Sequence, residues 1–219
     1  HKITLTIDGP ELSETSEDNP FLDYRLRVTF EQGDEIFEVP GYFAADGNAG
    51  ETGAASGNKW RAHFNPPKAG TWNYSISFRK GKNIALNENI LAGEALEADL
   101  GQGRIIVEPT DKTGRDFRAK GRIKTSGNGR FFQHLNGDYF LKGGADSPEN
   151  FLAYYEFDGT YRHLAEARDG EADPTESLHR YESHVADWRA GDPTWQDGKG
   201  KGMIGALNYL AGQGMNSVY

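Results

Sequence analysis

Trp60-Arg-Ala-His-Phe64 and Trp72-Asn-Tyr-Ser-Ile-Ser-Phe78 carry an apolar or aromatic side chain at every second position. Successive side chains of a strand point to opposite faces, so a run of this kind buries one face and wets the other, whereas a helix would scatter the same residues around its axis. The alternation recurs at Ile3, Leu5 and Ile7 and at Tyr24, Leu26, Val28 and Phe30. It returns at Ile36–Val39 after the turn Gln32-Gly33-Asp34, and at Ile105–Val107 before Pro109. Short strands separated by Gly, Pro and Asp turns predict an immunoglobulin-like antiparallel β-sandwich over residues 1–108. The stripe Trp60, Phe64, Trp72, Tyr74 and Phe78 is read as its core, because it alternates with polar residues as one buried face does. Residues 44–58 lack periodicity and read as a long loop. Asp46, Asn48 and Glu51 sit there at the alternate spacing of calcium ligands but without the full motif, and no metal is assigned.

Residues 109–122 are charged, contain Gly114 and Gly121, and read as a linker to a second domain over 123–219. There, Asn136-Gly137 between Phe131–Leu135 and Tyr139–Leu141 predicts a hairpin. The second apolar run enters Gly143-Gly144 and then Asp146, Ser147, Glu149 and Asn150, so donors and acceptors cluster where a strand ends. In parallel α/β architectures ligands bind at such ends. Asp146 and Ser147 before Pro148 equally suit the cap of a helical turn. Residues 151–202 are long, polar and aromatic, and a segment of that kind in a compact domain is usually functional. Its aromatic residues include Tyr154, Trp188 and Trp195, which can stack on a ligand or pin the segment down. Leu178–Trp188 reads as a short helix, and His163, His179 and His184 lack the spacing of a zinc motif. Residues 203–219 read as a helix followed by the first residues of a new strand, which leads us to expect the front part of a longer protein.

At 219 residues the chain can form one large or two modest domains. A net charge of -9 with no basic stripe argues against nucleic acid or an anionic membrane as partner, and no apolar run approaches a membrane span. Cysteine is absent, so there is neither a disulfide framework nor a thiol nucleophile. The start at His1, without Met, fits a mature secreted or periplasmic protein and equally a trimmed chain.

Two stretches resemble known sequences. Gly41-Tyr-Phe-Ala with Trp60-Arg-Ala-His-Phe-Asn-Pro-Pro-Lys-Ala-Gly-Thr-Trp-Asn-Tyr74 is similar to the N-terminal β-sandwich called domain of unknown function 5060, found in front of apiosidase-like glycoside hydrolase barrels. Arg130–Asn150, with Phe157-Asp-Gly-Thr-Tyr161 and Gly198-Lys-Gly-Lys-Gly202, resembles the leading hairpin, first strand and first βα loop of those barrels. The resemblance implies the first part of a TIM (β/α)8 barrel, with strand one ending near Gly143 to Asp146, a helix over about 201–213 and strand two starting at Asn216. It further implies a secreted glycosidase whose catalytic carboxylates lie on later strands, working without a cofactor on a carbohydrate substrate. Asp146, Ser147, Glu149, Asn150, Tyr154, Trp188 and Trp195 would then bind sugar. Such barrels tend to carry a Gly-Asp-Thr-x-Trp-type segment after strand one; this chain has Gly-Gly-Ala-Asp-Ser-Pro-Glu-Asn and lacks the aromatic. The alternative is a non-catalytic carbohydrate-binding or adhesion module in which the sandwich does the binding. A pair of carboxyls about 5 to 10 Å apart separates the two readings.

Overall fold

The computed structural model describes residues 2–145, 151–160 and 178–218. The chain divides into two compact units, His1–Phe140 and Leu141–Tyr219, and it is mostly β with few helices. Among the described residues no helix is long and apolar enough to cross a membrane.

In the first unit every alternating run of the sequence is a strand. β1 (Ile3–Ser13), β2 (Tyr24–Gln32), β3 (Glu35–Phe43), β4 (Ser56–Phe64), β5 (Gly70–Lys80), β6 (Glu94–Ala95) and β7 (Gln102–Val107) join in one antiparallel sheet. Its order is β1-β4-β3-β2-β5-β6, with β7 also on β5. The sandwich expectation implies two separate sheets; the structure has one continuous sheet that curls on itself. The reason lies in β3. Its first part pairs with β2, from Gln32↔Glu35 to Arg27↔Pro40, and its last three residues pair with β4, from Gly41↔Ala62 to Phe43↔Trp60. The partner changes between Pro40, which has no N–H to give to a ladder, and Gly41. A Cβ on Gly41 would lie 2.3 Å from Leu26 Cδ2, so a glycine is needed for the curled strands to approach.

Curling encloses the aromatic stripe. Trp60, Phe64, Trp72 and Phe78 are buried with Leu26, Val28 and Phe30. Phe30 stacks on Phe64 at 4.2 Å, and Trp60 and Phe78 are 4.9 Å apart. Trp72 donates from Nε1 to the Lys68 carbonyl at 3.1 Å, which satisfies its polar edge inside the core. Residues 81–101 are pinned by two buried or half-buried arginines. Arg25 donates to the carbonyls of Asn87 and Ile90, and Arg79 pairs with Asp99 at 2.9 Å while donating to the Ala92 carbonyl. The expected loop 44–58 contains a single helical turn, α1 (Ala49–Thr52). Asp46 is engaged there as an acceptor, from Asn48 N and from the Thr52 hydroxyl, both at 2.7 Å.

The same unit continues through residues 109–122, where Asp116 caps a 3-10 turn at Phe117–Ala119. It ends in a three-stranded antiparallel sheet of β8 (Ile123–Thr125), β9 (Phe132–His134) and β10 (Tyr139–Phe140). The Asn-Gly hairpin is present, with Tyr139↔Gln133 and Phe140↔Phe132 in register and Gly137 at φ 97°. The apolar run Tyr139–Leu141, expected to feed the second domain as its first strand, ends its ladder at Phe140.

The second unit contains β11 (Gly144–Ala145), the helix α2 (Lys201–Gly212) and β12 (Ser217–Val218), and β11 and β12 pair in parallel. The expected helix is present, yet its most buried face is made of Gly202, Gly205 and Ala206 rather than of its leucines. A Cβ on Gly205 would lie 1.8 Å from the His184 carbonyl oxygen, so small residues set how closely α2 meets the 3-10 helix Glu182–Asp187. That 3-10 helix is what forms within the predicted helix Leu178–Trp188.

Candidate functional site

The sequence points to the end of β11. Asp146, Ser147, Glu149 and Asn150 lie outside the described residues; the strand that leads to them does not. Asn216 clips it in place. Its amide oxygen accepts from Gly143 N at 2.9 Å, its amide nitrogen donates to the Leu141 carbonyl at 2.8 Å, and its backbone N–H donates to the Gly143 carbonyl at 2.9 Å. A Cβ on Gly144 would fall 1.5 Å from the Ser217 carbonyl oxygen. The second glycine of the pair is thus required by the close approach of β12.

Tyr154 and Trp195 are brought together. Tyr154 is 1% exposed, with Trp195 edge-on at 6.1 Å, and Trp195 stacks on Phe157 at 5.5 Å. Tyr154 therefore offers no ring face to a ligand in this structure. Trp195 is half-buried and donates from Nε1 to the Glu156 carbonyl at 3.3 Å. Gly200, at φ 92°, begins α2 beneath this indole, and a Cβ there would lie 2.0 Å from the Trp195 ring. Trp188 makes different contacts: Nε1 donates to the Pro193 carbonyl at 3.3 Å, and the Lys201 ammonium lies 4.7 Å over the ring.

At the centre of the aromatic group stands a carboxylate that sequence reasoning passed over. Glu156 accepts from the Tyr154 hydroxyl at 2.5 Å, the Tyr155 hydroxyl at 2.9 Å and Gly200 N at 2.6 Å. Burial pushes its carboxyl up, but the three hydrogen bonds outweigh burial and hold it below the ordinary glutamate value. Tyr154 moves the other way, raised first by burial and then by its hydrogen bond to the carboxylate, so it stays a donor. A general acid at neutral pH needs a carboxyl whose pKa is raised. Glu156 has the opposite environment, and its chemistry is that of an ionised anchor joining residues 154–156 to the start of α2, where the helix dipole also favours negative charge. The signal in the sequence was a glutamate directly after Tyr154-Tyr155, but nothing local identifies Gly200 as its partner.

Polar groups flank this anchor. Gln196 donates to Asp158 at 2.8 Å and accepts from Lys199 at 2.5 Å; Asn208 donates to Asp192 at 2.7 Å; Arg180 lies 4.6 Å over the Tyr155 ring. His184 Nδ1 lies 2.9 Å from the Asp187 carboxylate. Among the described residues no group of three or more His, Asp or Glu could hold a metal ion.

Residues 1–79 match the family described as Domain of unknown function (DUF5060). No curated protein matches the chain. One solved structure, a "putative glycoside hydrolase" from Bacteroides vulgatus ATCC 8482, is similar at 21% identity with a TM-score of 0.43. The similarity covers 70% of this chain and 25% of that one, so the chain spans about a quarter of that protein's length.

Proposed function

We propose that this chain is the front part of an exported glycoside hydrolase, with an N-terminal sheet domain followed by the opening of a (β/α)8 barrel that cleaves glycosidic bonds in a polysaccharide or oligosaccharide. The observation that carries the reading is the β11–α2–β12 arrangement: two parallel strands joined through a helix, with Asp146, Ser147, Glu149 and Asn150 directly after the first strand. Parallel strands need a crossover of this kind, and barrels built from it bind substrate where the strands end. In this reading those four residues hold sugar hydroxyls, Trp188 and Trp195 are the candidates for stacking on sugar rings, and the acid and its partner carboxylate come from later strands. Glu156 supplies neither, because its two oxygens are already committed and its carboxyl is held ionised.

The test is release of new reducing ends from a panel of neutral and acidic polysaccharides by the protein at its natural length. Hydrolysis of at least one glycan, weakened by Asp146→Asn, is the expected result. No hydrolysis across the panel would remove the enzyme reading and leave the carbohydrate-binding module as its successor.

A further inference from the structure

The first unit contains a groove of 810 Å³ between the turn after β4, the end of β7, the 3-10 turn Phe117–Ala119 and the start of the hairpin. Its wall is built by the backbone. Leu135 N donates to the Arg122 carbonyl at 3.1 Å and Asn136 N to the Lys120 carbonyl at 3.2 Å. Gly121 sits between them at φ 76°, where a Cβ would come within 3.0 Å of Leu135.

Two side chains on this wall have unspent bonding capacity. His134 is 2% exposed, stacked on Phe117 and edge-on to Phe140, both at 5.6 Å, and it lines the groove. Its Nδ1 lies 3.1 Å from the Gly121 carbonyl. A carbonyl only accepts, so Nδ1 carries a proton, and in the tautomer protonated there Nε2 is an acceptor. Among the described residues Nε2 has no protein partner. Arg122 is exposed with its guanidinium 4.9 Å over the Phe37 ring, and among the described residues it has no ion pair. Of the other cations that line the groove, Lys68 pairs with Glu35 at 2.7 Å, Arg118 with Asp116 at 2.5 Å and Lys120 with Asp138 at 3.1 Å, whereas Lys2 has no ion pair among the described residues; Glu108 is the one carboxylate on the lining.

A ligand that suits this wall must donate to Nε2, must present an anion to the guanidinium fork and must lay an apolar face against Phe117, Pro66 and Pro67. An inorganic anion meets only the second demand, and a neutral sugar only the first and third. A pyranose bearing a carboxylate meets all three, with a hydroxyl on His134, a bidentate carboxylate on Arg122 and its C–H face on the apolar wall. The structure assigns the groove, accordingly, as a binding site for an acidic oligosaccharide, one that contains uronate units. The assignment rests on the carbohydrate reading above and extends it to the first unit.

Calorimetric titration of the 219-residue chain with trigalacturonate tests it, against cellotriose and sodium sulfate as the neutral and the inorganic probes. Binding at one site is expected, weakened about tenfold by Arg122→Ala and unaffected by Arg130→Ala, an exposed arginine outside the groove. Arg122→Lys keeps the charge but loses the fork, and should fall between the two. Trigalacturonate that fails to bind, binds equally well to Arg122→Ala, or is matched by sulfate overturns the assignment. Because binding and hydrolysis are read separately, trigalacturonate binding without glycan cleavage would sink the hydrolase reading and keep the groove. Cleavage without trigalacturonate binding would do the reverse.

Discussion

Glu156 shows how three donors decide the state of one carboxyl. Its carboxyl titrates below the ordinary value of 4.5 although burial acts in the other direction. A carboxyl whose folded pKa is depressed stabilises the fold above the unfolded pKa, and that contribution is lost as pH falls through the folded value. The second unit should therefore lose stability on acidification below about 4.5, and Glu156→Gln should flatten that part of the curve while lowering stability at neutral pH. Melting followed by tryptophan fluorescence from pH 7 to about 3 checks this. A variant with the same acid limb as the parent would mean that Glu156 does not carry the effect. At this scale the sequence marked the right residue types in part. Tyr154 and Trp195 were singled out and do meet, but as neighbours in a packed group around a glutamate that no motif announced. Hydrogen-bond partners 44 residues apart, such as Glu156 and Gly200, leave no local signature.

Among the elements, β3 is the one whose behaviour shapes the fold. Its alternation identifies a strand over Ile36–Val39; in the structure the strand runs on through Pro40-Gly41 and changes partner there. A Cβ at position 41 would be driven into Leu26, so Gly41→Ala should cost about 1–3 kcal/mol by overpacking. Gly50→Ala in α1, where a Cβ meets nothing within 4 Å, should be neutral or slightly stabilising. Chemical denaturation of the two variants separates them, and equal midpoints would contradict the account. Helix α2 gives a parallel lesson. Its extent was legible from apolar spacing, but the face that packs was not, because glycine and alanine are silent in a hydrophobic pattern and matter only when another backbone comes close.

For the molecule as a whole, the sheet core closes within the first unit. Trp60, Trp72, Phe30 and Phe78 are each at most 1% exposed, and their ring contacts run to other residues of that unit. A unit of this size buries roughly two thirds of the surface its unfolded chain exposes, enough for independent stability. Residues 1–140 produced alone should thus unfold in one cooperative transition with native-like near-UV circular dichroism. A broad, non-cooperative melt would show that the sheet needs the rest of the chain.

The sequence by itself determined the β character of the first hundred residues, the membership of their core, the Asn-Gly hairpin and the extent of α2. Those features depend on period and on turn chemistry, which are local. Tertiary structure alone decided that the strands form one curled sheet rather than two, since strand pairing follows from backbone approach at Gly41 and not from alternation. It also decided that Glu156 anchors α2 and that Arg122 and His134 share a wall. Each of these depends on which distant backbone comes within hydrogen-bond reach, and a linear pattern does not encode that distance.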